Sequence, residues 1–416
     1  MKHGFSGKIV STLALVLMAL AGVSMSSLSE RASFSYDSPA AEIASFPFEL
    51  AYDHILLKVQ VDDRGPFWFL LDTGNTVAMV DMDVARSLGL ALGNPVSIRG
   101  GGEGALQGAM VRNSYFKIPA IPGFKQRIAL AIPLDTIKHR IGHDIDGLLG
   151  ADFIGRFVTE VDYHSKRIRL YDADRYSYSG PGESIPLTLT SGNHPMVRAT
   201  ILQAGRDPIP GMFVIDLGSG LALTLTRQFV QENRLLQSNQ PKIEATIGVG
   251  AGGKSTALVG RVGALKIGGF SVTSPVTNFS LDTKGVMATS SFFEGNIGAL
   301  IMEKFKVILD YKNSRMILER NPSFPDAVEF DMSGMNLVAD GAEYTRFRIV
   351  ELIDHAPAAD AGLRIGDVIT AIDGRSAAHL TLSELRRISS KPGVRLLGVK
   401  RGDDEFQVKL EFRRLV

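Results

Sequence analysis

The feature that most constrains this chain is an apolar segment that ends in an Asp-x-Gly turn and occurs twice. The first copy runs from Phe67 to Thr76 and the second from Met212 to Gly220. A run rich in aromatic and branched residues is typical of a buried strand, and such a strand has no packing reason to end in a carboxylate and a tight turn. The pattern therefore indicates that each copy displays one carboxylate, Asp72 and Asp216.

A second pair of segments keeps the same spacing and indicates an internal duplication. Gly150 and Gly298 are each followed, at the same two intervals, by a Phe and then by an Asp-Tyr pair. The stretch from the displayed Asp to this Gly is slightly longer in the second copy than in the first. A repeated frame with one longer loop predicts two similar lobes of about 140 residues each.

Changes in composition divide the rest of the chain. We assign the first lobe to residues 47–175 and the second to 184–320, because a segment rich in Gly, Pro and Ser separates them. Residues 330–416 predict a small α+β unit with short strands and a helix near 381–389. Residues 29–46 are rich in Ser and Ala without a clear period, and we interpret them as a linker.

The N-terminus predicts export. Basic residues precede an apolar run from Ile9 to Val23, which is short for a membrane span and suits the core of an export signal. We expect residues 1–28 to be a signal segment. The protein would then be periplasmic or secreted, or anchored to the inner membrane where the segment is retained.

The charge balance argues against a polyanionic partner. The chain has 45 Lys and Arg against 44 Asp and Glu, a formal net charge of +1, and no long run of one sign. We therefore expect no nucleic acid partner. Because the chain contains no Cys, thiol catalysis, thiolate metal sites and disulfides are excluded.

Two carboxylates in one site suit hydrolysis by an activated water molecule. At about 3 Å separation they cannot both ionise cheaply, so one keeps its proton. Such a pair can deprotonate a water molecule and protonate a leaving amide nitrogen, and we expect neither cofactor nor metal. Tight turns at glycine and hydrogen bonds from hydroxyl groups would hold the pair. The residues that we predict in this supporting role are Thr73, Gly74, Asn75, Gly218 and Ser219.

A glycine-rich stretch follows each aspartate at a similar distance along the chain. The first stretch is 99–104 and the second is 248–253. We interpret both stretches as flaps that close over an extended substrate and exclude water. The flap residues that we predict to contact substrate are Gly100, Gly101, Gly102, Gly248, Gly250 and Gly252.

Two other patterns compete with this interpretation. Residues 248–255 match a phosphate-binding P-loop letter by letter, but a P-loop must open a helix, and glycines interrupt residues 256–263. Nucleotide binding is therefore the weaker alternative. His139 and His143 would share one face of a helix and hold a metal, but the intervening Gly142 favours a solvated loop.

The duplicated motifs resemble the retropepsin-like branch of the pepsin/retropepsin aspartic peptidases. The resemblance is carried by Asp72–Asn75 with Leu148–Gly150, and by Asp216–Ser219 with Asn296–Gly298, and it covers about 47–320. It implies a mainly β fold in which two retropepsin-like β-barrel lobes form a pseudo-dimeric aspartic protease, with the two aspartates as catalytic residues. Members commonly carry Thr or Ser directly after the Asp, whereas the second copy here carries Leu.

The C-terminal unit resembles a PDZ domain of the type fused to bacterial proteases. Its most specific segment is Ala361–Ile369, which reads Ala-Gly-Leu-x-x-Gly-Asp-x-Ile. The resemblance implies that Gly334, Met335, Asn336 and Leu337 form a loop that binds the C-terminal carboxylate of a peptide. The bound peptide would add a strand to the sheet edge.

Taken together, the sequence predicts an exported bacterial aspartic endopeptidase that acts on a peptide or protein substrate, as a monomer or a homodimer. Its PDZ domain would recognise peptide C-termini or regulate access. Leu217, which lacks the hydroxyl group common in the family, motivates the alternative of a peptide-binding protein of the same fold that does not cleave. A site built from the first lobes of two chains is a further alternative.

Overall fold

The computed structural model describes residues 41–237, 240–250 and 252–416. Within these residues, three β-sheets and seven short α-helices make up the regular structure, so the mainly β fold that we predicted is confirmed. Each of these sheets is open at both ends of its strand order, so the lobes are not closed barrels. The predicted export signal lies outside the described residues, and no helix among them is long and apolar enough to cross a bilayer.

The first lobe comprises residues 42–171. Its first strand begins inside the stretch that we interpreted as a linker, because Ala44 and Phe46 alternate with more exposed neighbours and bury their side chains. The linker prediction therefore fails for residues 42–46. The elements are β1 (Glu42–Pro47), β2 (Glu49–Ala51), β3 (His54–Val61), β4 (Arg64–Leu71), β5 (Met79–Asp81), α1 (Met82–Ser87), β6 (Ala91–Ile98), β7 (Leu106–Arg112), β8 (Tyr115–Lys117), β9 (Gln126–Arg127), β10 (Leu130–Ile132), α2 (Asp135–Ile141), β11 (Gly147–Leu149), α3 (Ala151–Ile154), β12 (Val158–Asp162) and β13 (Arg167–Tyr171).

The second lobe comprises residues 183–320 and repeats most of the order of the first, although no helix corresponding to α2 occurs among its described residues. Its elements are β14 (Glu183–Leu189), β15 (Pro195–Leu202), β16 (Ile209–Asp216), β17 (Leu223–Leu225), α4 (Arg227–Glu232), β18 (Ile243–Gly250), β19 (Gly253–Arg261), β20 (Ala264–Ile267), β21 (Phe270–Thr273), β22 (Val276–Ser280), β23 (Gly295–Gly298), α5 (Ala299–Met302), β24 (Phe305–Asp310) and β25 (Arg315–Arg320).

The C-terminal unit comprises residues 335–412 and has a core of its own, in which Phe347 and Phe412 are fully buried. A capping box at Thr381, where the side chains and backbone of Thr381 and Glu384 bond reciprocally, fixes the start of its longest helix. The elements are β26 (Met335–Asp340), β27 (Arg346–Leu352), α6 (Pro357–Asp360), β28 (Val368–Ile372), β29 (Arg375–Ser376), α7 (Leu382–Ser389), β30 (Gly393–Arg401) and β31 (Asp404–Phe412).

Equivalent strands pair in the same way in the two lobes. Strand β4 runs parallel to β11 with Leu70 opposite Leu148, and β16 runs parallel to β23 with Val214 opposite Asn296. In each lobe the second strand of this pair also runs antiparallel to a short strand, β5 or β17. The duplication inferred from spacing is therefore a duplication of strand pairing.

Strands near the ends of the two lobes join them into one body. Strand β12 of the first lobe pairs antiparallel with β24 of the second, from Thr159 opposite Leu309 to Asp162 opposite Lys306. As a result, β1, β12 and β13 belong to the same sheet as the second lobe, whereas β2 to β11 form a sheet of their own. This shared sheet fixes the relative position of the two Asp-bearing loops.

Candidate active site

The two predicted aspartates lie side by side. Asp72 directly follows β4, and Asp216 is the last residue of β16. Their side chains hydrogen-bond to each other. The N–H of Gly74 donates to Oδ1 of Asp72 at 2.8 Å, and the N–H of Gly218 donates to Oδ1 of Asp216 at 3.0 Å. We call Asp72 and Asp216 the dyad.

The glycine of each Asp-x-Gly turn lies beneath the carboxylate of the opposite lobe. A Cβ atom on Gly74 would lie 2.8 Å from Oδ2 of Asp216, and one on Gly218 would lie 2.3 Å from Cγ of Asp72. Neither distance is compatible with a side chain. Glycine is thus required at both positions so that the two carboxylates can approach each other.

One hydroxyl group locks the two loops together. Oγ1 of Thr73 donates to the carbonyl oxygen of Ile215 at 2.6 Å and accepts the N–H of Leu217 at 2.8 Å. At the position equivalent to Thr73, Leu217 is fully buried in the apolar core. The lock is therefore made from the first lobe only.

Asn75 and Ser219 connect the dyad loops to the helices behind them. The carbonyl oxygen of Asn75 accepts the N–H of Ala151, at the start of α3, at 2.7 Å. The carbonyl oxygen of Ser219 accepts the N–H of Ala299, at the start of α5, at 2.8 Å. Asn75 also donates from Nδ2 to the carbonyl oxygen of Val77 at 2.7 Å. Both predicted supporting residues thus stabilise the turns, with Ser219 acting through its backbone.

The electrostatics of the dyad are unequal. Burial raises the pKa of Asp72 well above its ordinary value, and the neighbouring charge of Asp216 raises it further. Burial also raises the pKa of Asp216, but hydrogen bonds from Asn296 and Asp72 oppose the increase. Because hydrogen bonds donated to a carboxylate favour its charged form, the contacts of the dyad favour ionisation of Asp216 over that of Asp72.

Asn296 is a site residue that the sequence analysis did not identify as part of the dyad's support. It lies on β23, and its Nδ2 donates to Oδ2 of Asp216 at 2.6 Å. The sequence carried one signal for it: the duplicated frame places Leu148 at the equivalent position, so an apolar residue is replaced by an amide.

The two glycine-rich stretches form the tips of two hairpins that meet. We call the hairpin of β6 and β7 flap 1 and the hairpin of β18 and β19 flap 2. The N–H of Gly104 donates to the carbonyl oxygen of Gly252 at 2.6 Å, and the N–H of Gly252 donates to that of Gly101 at 2.8 Å. Oε1 of Glu103 accepts the hydroxyl of Thr283 at 2.8 Å. The flap glycines predicted to face substrate all lie on these hairpins: Gly100, Gly101, Gly102, Gly248, Gly250 and Gly252.

The flaps and the dyad enclose a cleft of about 1330 Å³. The dyad lies in its wall, and both lobes contribute mainly apolar side chains. A space of this size and lining suits a peptide in an extended conformation. The larger apolar side chains around it are Leu70, Met79, Ile98, Leu106, Ile132, Leu148, Met196, Val214, Val286, Met287, Phe292 and Phe293.

The C-terminal unit also borders the cleft. The side chain of Asn336 on β26 donates to the carbonyl oxygen of Thr246 on flap 2 at 3.3 Å. Glu351 on β27 accepts both the N–H and the hydroxyl of Thr246, at 3.2 and 3.0 Å. Flap 2 therefore rests on the C-terminal unit.

Arg386 connects the C-terminal unit to the dyad loop of the second lobe. This residue of α7 forms an ion pair with Asp53 and approaches the carbonyl oxygen of Gly220 at 3.4 Å. Its guanidinium group lies over the ring of Tyr52, 4.7 Å from the centroid. The backbone N–H of Tyr52 in turn donates to the hydroxyl of Ser383 at 2.6 Å. One arginine thus contacts both lobes from the third unit.

The predicted carboxylate-binding loop lies at the start of β26. Residues 335–337 line the cleft, and Gly334 precedes them with a φ of 78°. The N–H groups of Ser333 and Gly334 donate to Oδ1 of Asp331 at 2.9 and 2.7 Å. The carboxylate of Asp331 therefore already occupies the N–H group of Gly334, the first residue of the predicted loop.

The structure also places the two competing patterns. Residues 248–250 and 252–255 lie on the β18–β19 hairpin and do not open a helix, as a P-loop must. His139 lies on α2 and donates from Nδ1 to the carbonyl oxygen of Ala339 at 2.8 Å. His143 lies beyond the helix, edge-on to Trp68 at a centroid distance of 5.2 Å. The two histidines therefore contact different groups, Ala339 and Trp68.

Two segments of the chain match known protein families, one in the first lobe and one in the C-terminal unit. Residues 57–153 match the family model described as aspartyl protease, and residues 348–401 match the model described as PDZ domain. The crystal structure of basic 7S globulin from soybean is similar with a TM-score of 0.42 and 13% sequence identity, over 70% of this chain and 98% of that one. No curated protein matches the chain. The chain therefore contains an aspartyl protease domain and a PDZ domain.

Proposed function

We propose that the protein is an aspartic endopeptidase that hydrolyses peptide bonds with a water molecule held between Asp72 and Asp216. The observation that carries this proposal is the direct hydrogen bond between the two carboxylates at the wall of the cleft. Two carboxylates that share one proton provide a base and an acid in the same place, which is the requirement for hydrolysis without a bound nucleophile.

The unequal rise in the pKa of the two aspartates supports the following division of roles. Asp216, ionised, removes a proton from the water as the water oxygen bonds to the substrate carbonyl carbon, while Asp72 gives its proton to the carbonyl oxygen. In the second step the proton on Asp216 passes to the amide nitrogen and the C–N bond breaks. Asp72 regains a proton from the hydroxyl group as the new carboxylic acid forms, which restores the starting state.

We further propose that the PDZ domain recognises peptide C-termini or regulates access to the cleft. Its contacts with flap 2 and with the dyad loop support a role close to the site. From the N-terminal sequence we also propose that the protein is exported to the periplasm or secreted. It would be anchored to the inner membrane where the N-terminal segment is retained.

The experiment that tests the peptidase proposal measures cleavage of a diverse peptide library between about pH 3 and pH 8, a range that brackets ionisation of the dyad. Asp72→Asn and Asp216→Asn, which preserve side-chain shape, are expected to lose cleavage individually. Activity that survives Asp216→Asn and fails with Asp72→Asn would instead place the site between the first lobes of two chains.

The second candidate function is peptide binding without cleavage. It is favoured by one observation, the fully buried Leu217 in place of the hydroxyl residue that Thr73 supplies in the first lobe. Intact peptide binding by the native chain, with no product at any pH, would establish this function. Tight binding of a non-hydrolysable transition-state mimic, lost in either Asn variant, would favour the peptidase.

A further inference from the structure

The two lobes differ at one pair of equivalent positions next to the dyad. Leu148 on β11 and Asn296 on β23 occupy equivalent positions, because each lies opposite the residue two places before its aspartate, Leu70 or Val214. Both side chains line the cleft. Only the second lobe therefore brings a hydrogen-bond donor to its aspartate from this strand.

The amide of Asn296 serves the dyad and not the packing around it. Its Nδ2 donates to Oδ2 of Asp216 at 2.6 Å, whereas its Oδ1 is buried and has no partner among the described residues. Asp216 thus fixes the orientation of the amide. A hydrogen bond donated to a carboxyl group is stronger when that group is charged, so this N–H group favours the ionised form of Asp216.

We infer that Asn296 is a positioning residue for the dyad proton: it holds the negative charge on Asp216 and so leaves the proton on Asp72. The inference rests on the proposed function and deepens it, since it names the residue that makes Asp216 the base. In an undisturbed symmetric pair the proton would belong equally to both members.

Other charged groups reach the dyad from the elements packed around it. His54 on β3 contacts the backbone of Gly218, and burial lowers its pKa to about 4. Tyr163 senses the charge of Asp216, and burial raises its pKa, so it is neutral throughout the working range. Neither group changes charge between about pH 5 and pH 8.

Two further charges lie beyond this first layer. Arg386 reaches the carbonyl oxygen of Gly220 and keeps a constant charge, balanced by Asp53. Burial raises the pKa of Glu303 to about 7, and this carboxylate also acts on Tyr163. Glu303→Gln therefore serves as the control that removes the nearby titration without touching the dyad.

The test follows the side-chain carboxyl carbons of Asp72 and Asp216 by 13C NMR in the full chain as pH is varied. In the native protein we expect Asp216 to ionise first. In Asn296→Leu, which installs the residue of the first lobe, its titration should move upward by about 1 to 2 pH units, the size expected for a hydrogen bond to a charged group. Leu148→Asn should lower the pH at which Asp72 titrates.

Cleavage gives a second readout that a purely structural role would not move. In Asn296→Leu the acid limb of kcat/KM should rise by the same amount, because the singly ionised dyad has lost its donor. The alkaline limb, which reports the proton on Asp72, should stay in place. Glu303→Gln should leave the acid limb unchanged. Thermal unfolding checks that each variant folds, and Asn296→Ala replaces Asn296→Leu if leucine does not fit.

The outcomes distinguish the role of Asn296 from the proposed peptidase function. If Asp72 ionises first in the native protein, or if the Asp216 titration in the variant is unchanged or falls, the inference about Asn296 is wrong, and native cleavage still stands. If the titrations move as expected and no peptide is cleaved, the charge assignment holds and the proposed peptidase function fails.

Discussion

The hydroxyl of Thr73 accepts the backbone N–H of Leu217 at 2.8 Å and donates to the carbonyl oxygen of Ile215 at 2.6 Å. Thr73 lies in the first lobe and Leu217 in the second, so a single side chain satisfies two backbone groups across the lobe boundary. The residue that would return the contact is apolar and packs into the core. The second loop is consequently held from one side by Thr73 and depends on other contacts on its far side.

Thr73→Val tests the lock between the loops. Valine has the same shape but leaves the buried N–H of Leu217 without an acceptor, which costs about 1 to 3 kcal/mol. We expect the free energy of unfolding in urea to fall by that amount and cleavage to fall with it. Thr73→Ser keeps the hydroxyl and should retain most of both. No loss in Thr73→Val together with a loss in Thr73→Ser would show that the methyl group matters and the hydroxyl does not.

The closed flaps give a second prediction, which compares two glycines. Gly102 has a φ of 93°, and a Cβ atom there would lie 2.5 Å from the carbonyl oxygen of Gly253. A Cβ on Gly248 would meet open space. Gly102→Ala should therefore obstruct flap closure and lower kcat/KM about tenfold or more, equivalent to about 1.4 kcal/mol in the barrier.

Gly248→Ala is the matched control, because it adds the same methyl group to flap 2 where there is room for it. Its kcat should stay close to that of the native protein, and any change should be confined to KM, because Gly248 lines the cleft. Equal effects of the two substitutions would mean that flap flexibility, and not the contact between the tips, controls access to the cleft.

Glu303 predicts a pH dependence of stability. Burial raises its pKa from 4.5 to about 7. Because the folded-state value lies above the unfolded value, the favourable contribution of the protonated acid is complete below pH 4.5 and is lost as the pH rises through about 7. Glu303→Gln removes this loss.

Urea unfolding of the native protein and of Glu303→Gln at several pH values tests this pH dependence. The variant should gain stability relative to the native protein between about pH 5 and pH 8, by an amount on the order of 2 kcal/mol. The difference should be constant on either side of that interval. A difference in stability that does not change between about pH 5 and pH 8 would show that the pKa of Glu303 is not raised.

The sequence predicted those parts of the site that are set within a single stretch of chain. A strand that ends in Asp-x-Gly carries its own geometry, so Asp72 and Asp216 could be identified before their pairing was known. Asn296 was visible only as a departure from Leu148, and its meaning depends on the parallel register of β23 with β16. No local pattern contains that register.

The boundary at β1 and the contacts of the PDZ domain were missed for related reasons. The strand Glu42–Pro47 is too short to reveal its period, and it is defined by pairing with β13, which lies far along the chain at the end of the first lobe. The fold class followed from repeated local features, whereas the position of the third unit depends on side chains that are distant in sequence.

Arg386 gives the last prediction, because it joins the PDZ domain to the catalytic loops. Its removal would leave the partly buried carboxylate of Asp53 unpaired and withdraw the contact with Gly220, a loop residue that Thr73 does not contact. We expect Arg386→Ala to lower kcat/KM about tenfold, with a smaller change in KM than in kcat, since the residue acts on the dyad loop and not on substrate. Arg387→Ala, an exposed neighbour on the same helix, is the control and should be silent. If both variants cleave like the native protein while the PDZ domain stays folded, that domain does not support the dyad, and its contacts with flap 2 would carry any influence on cleavage.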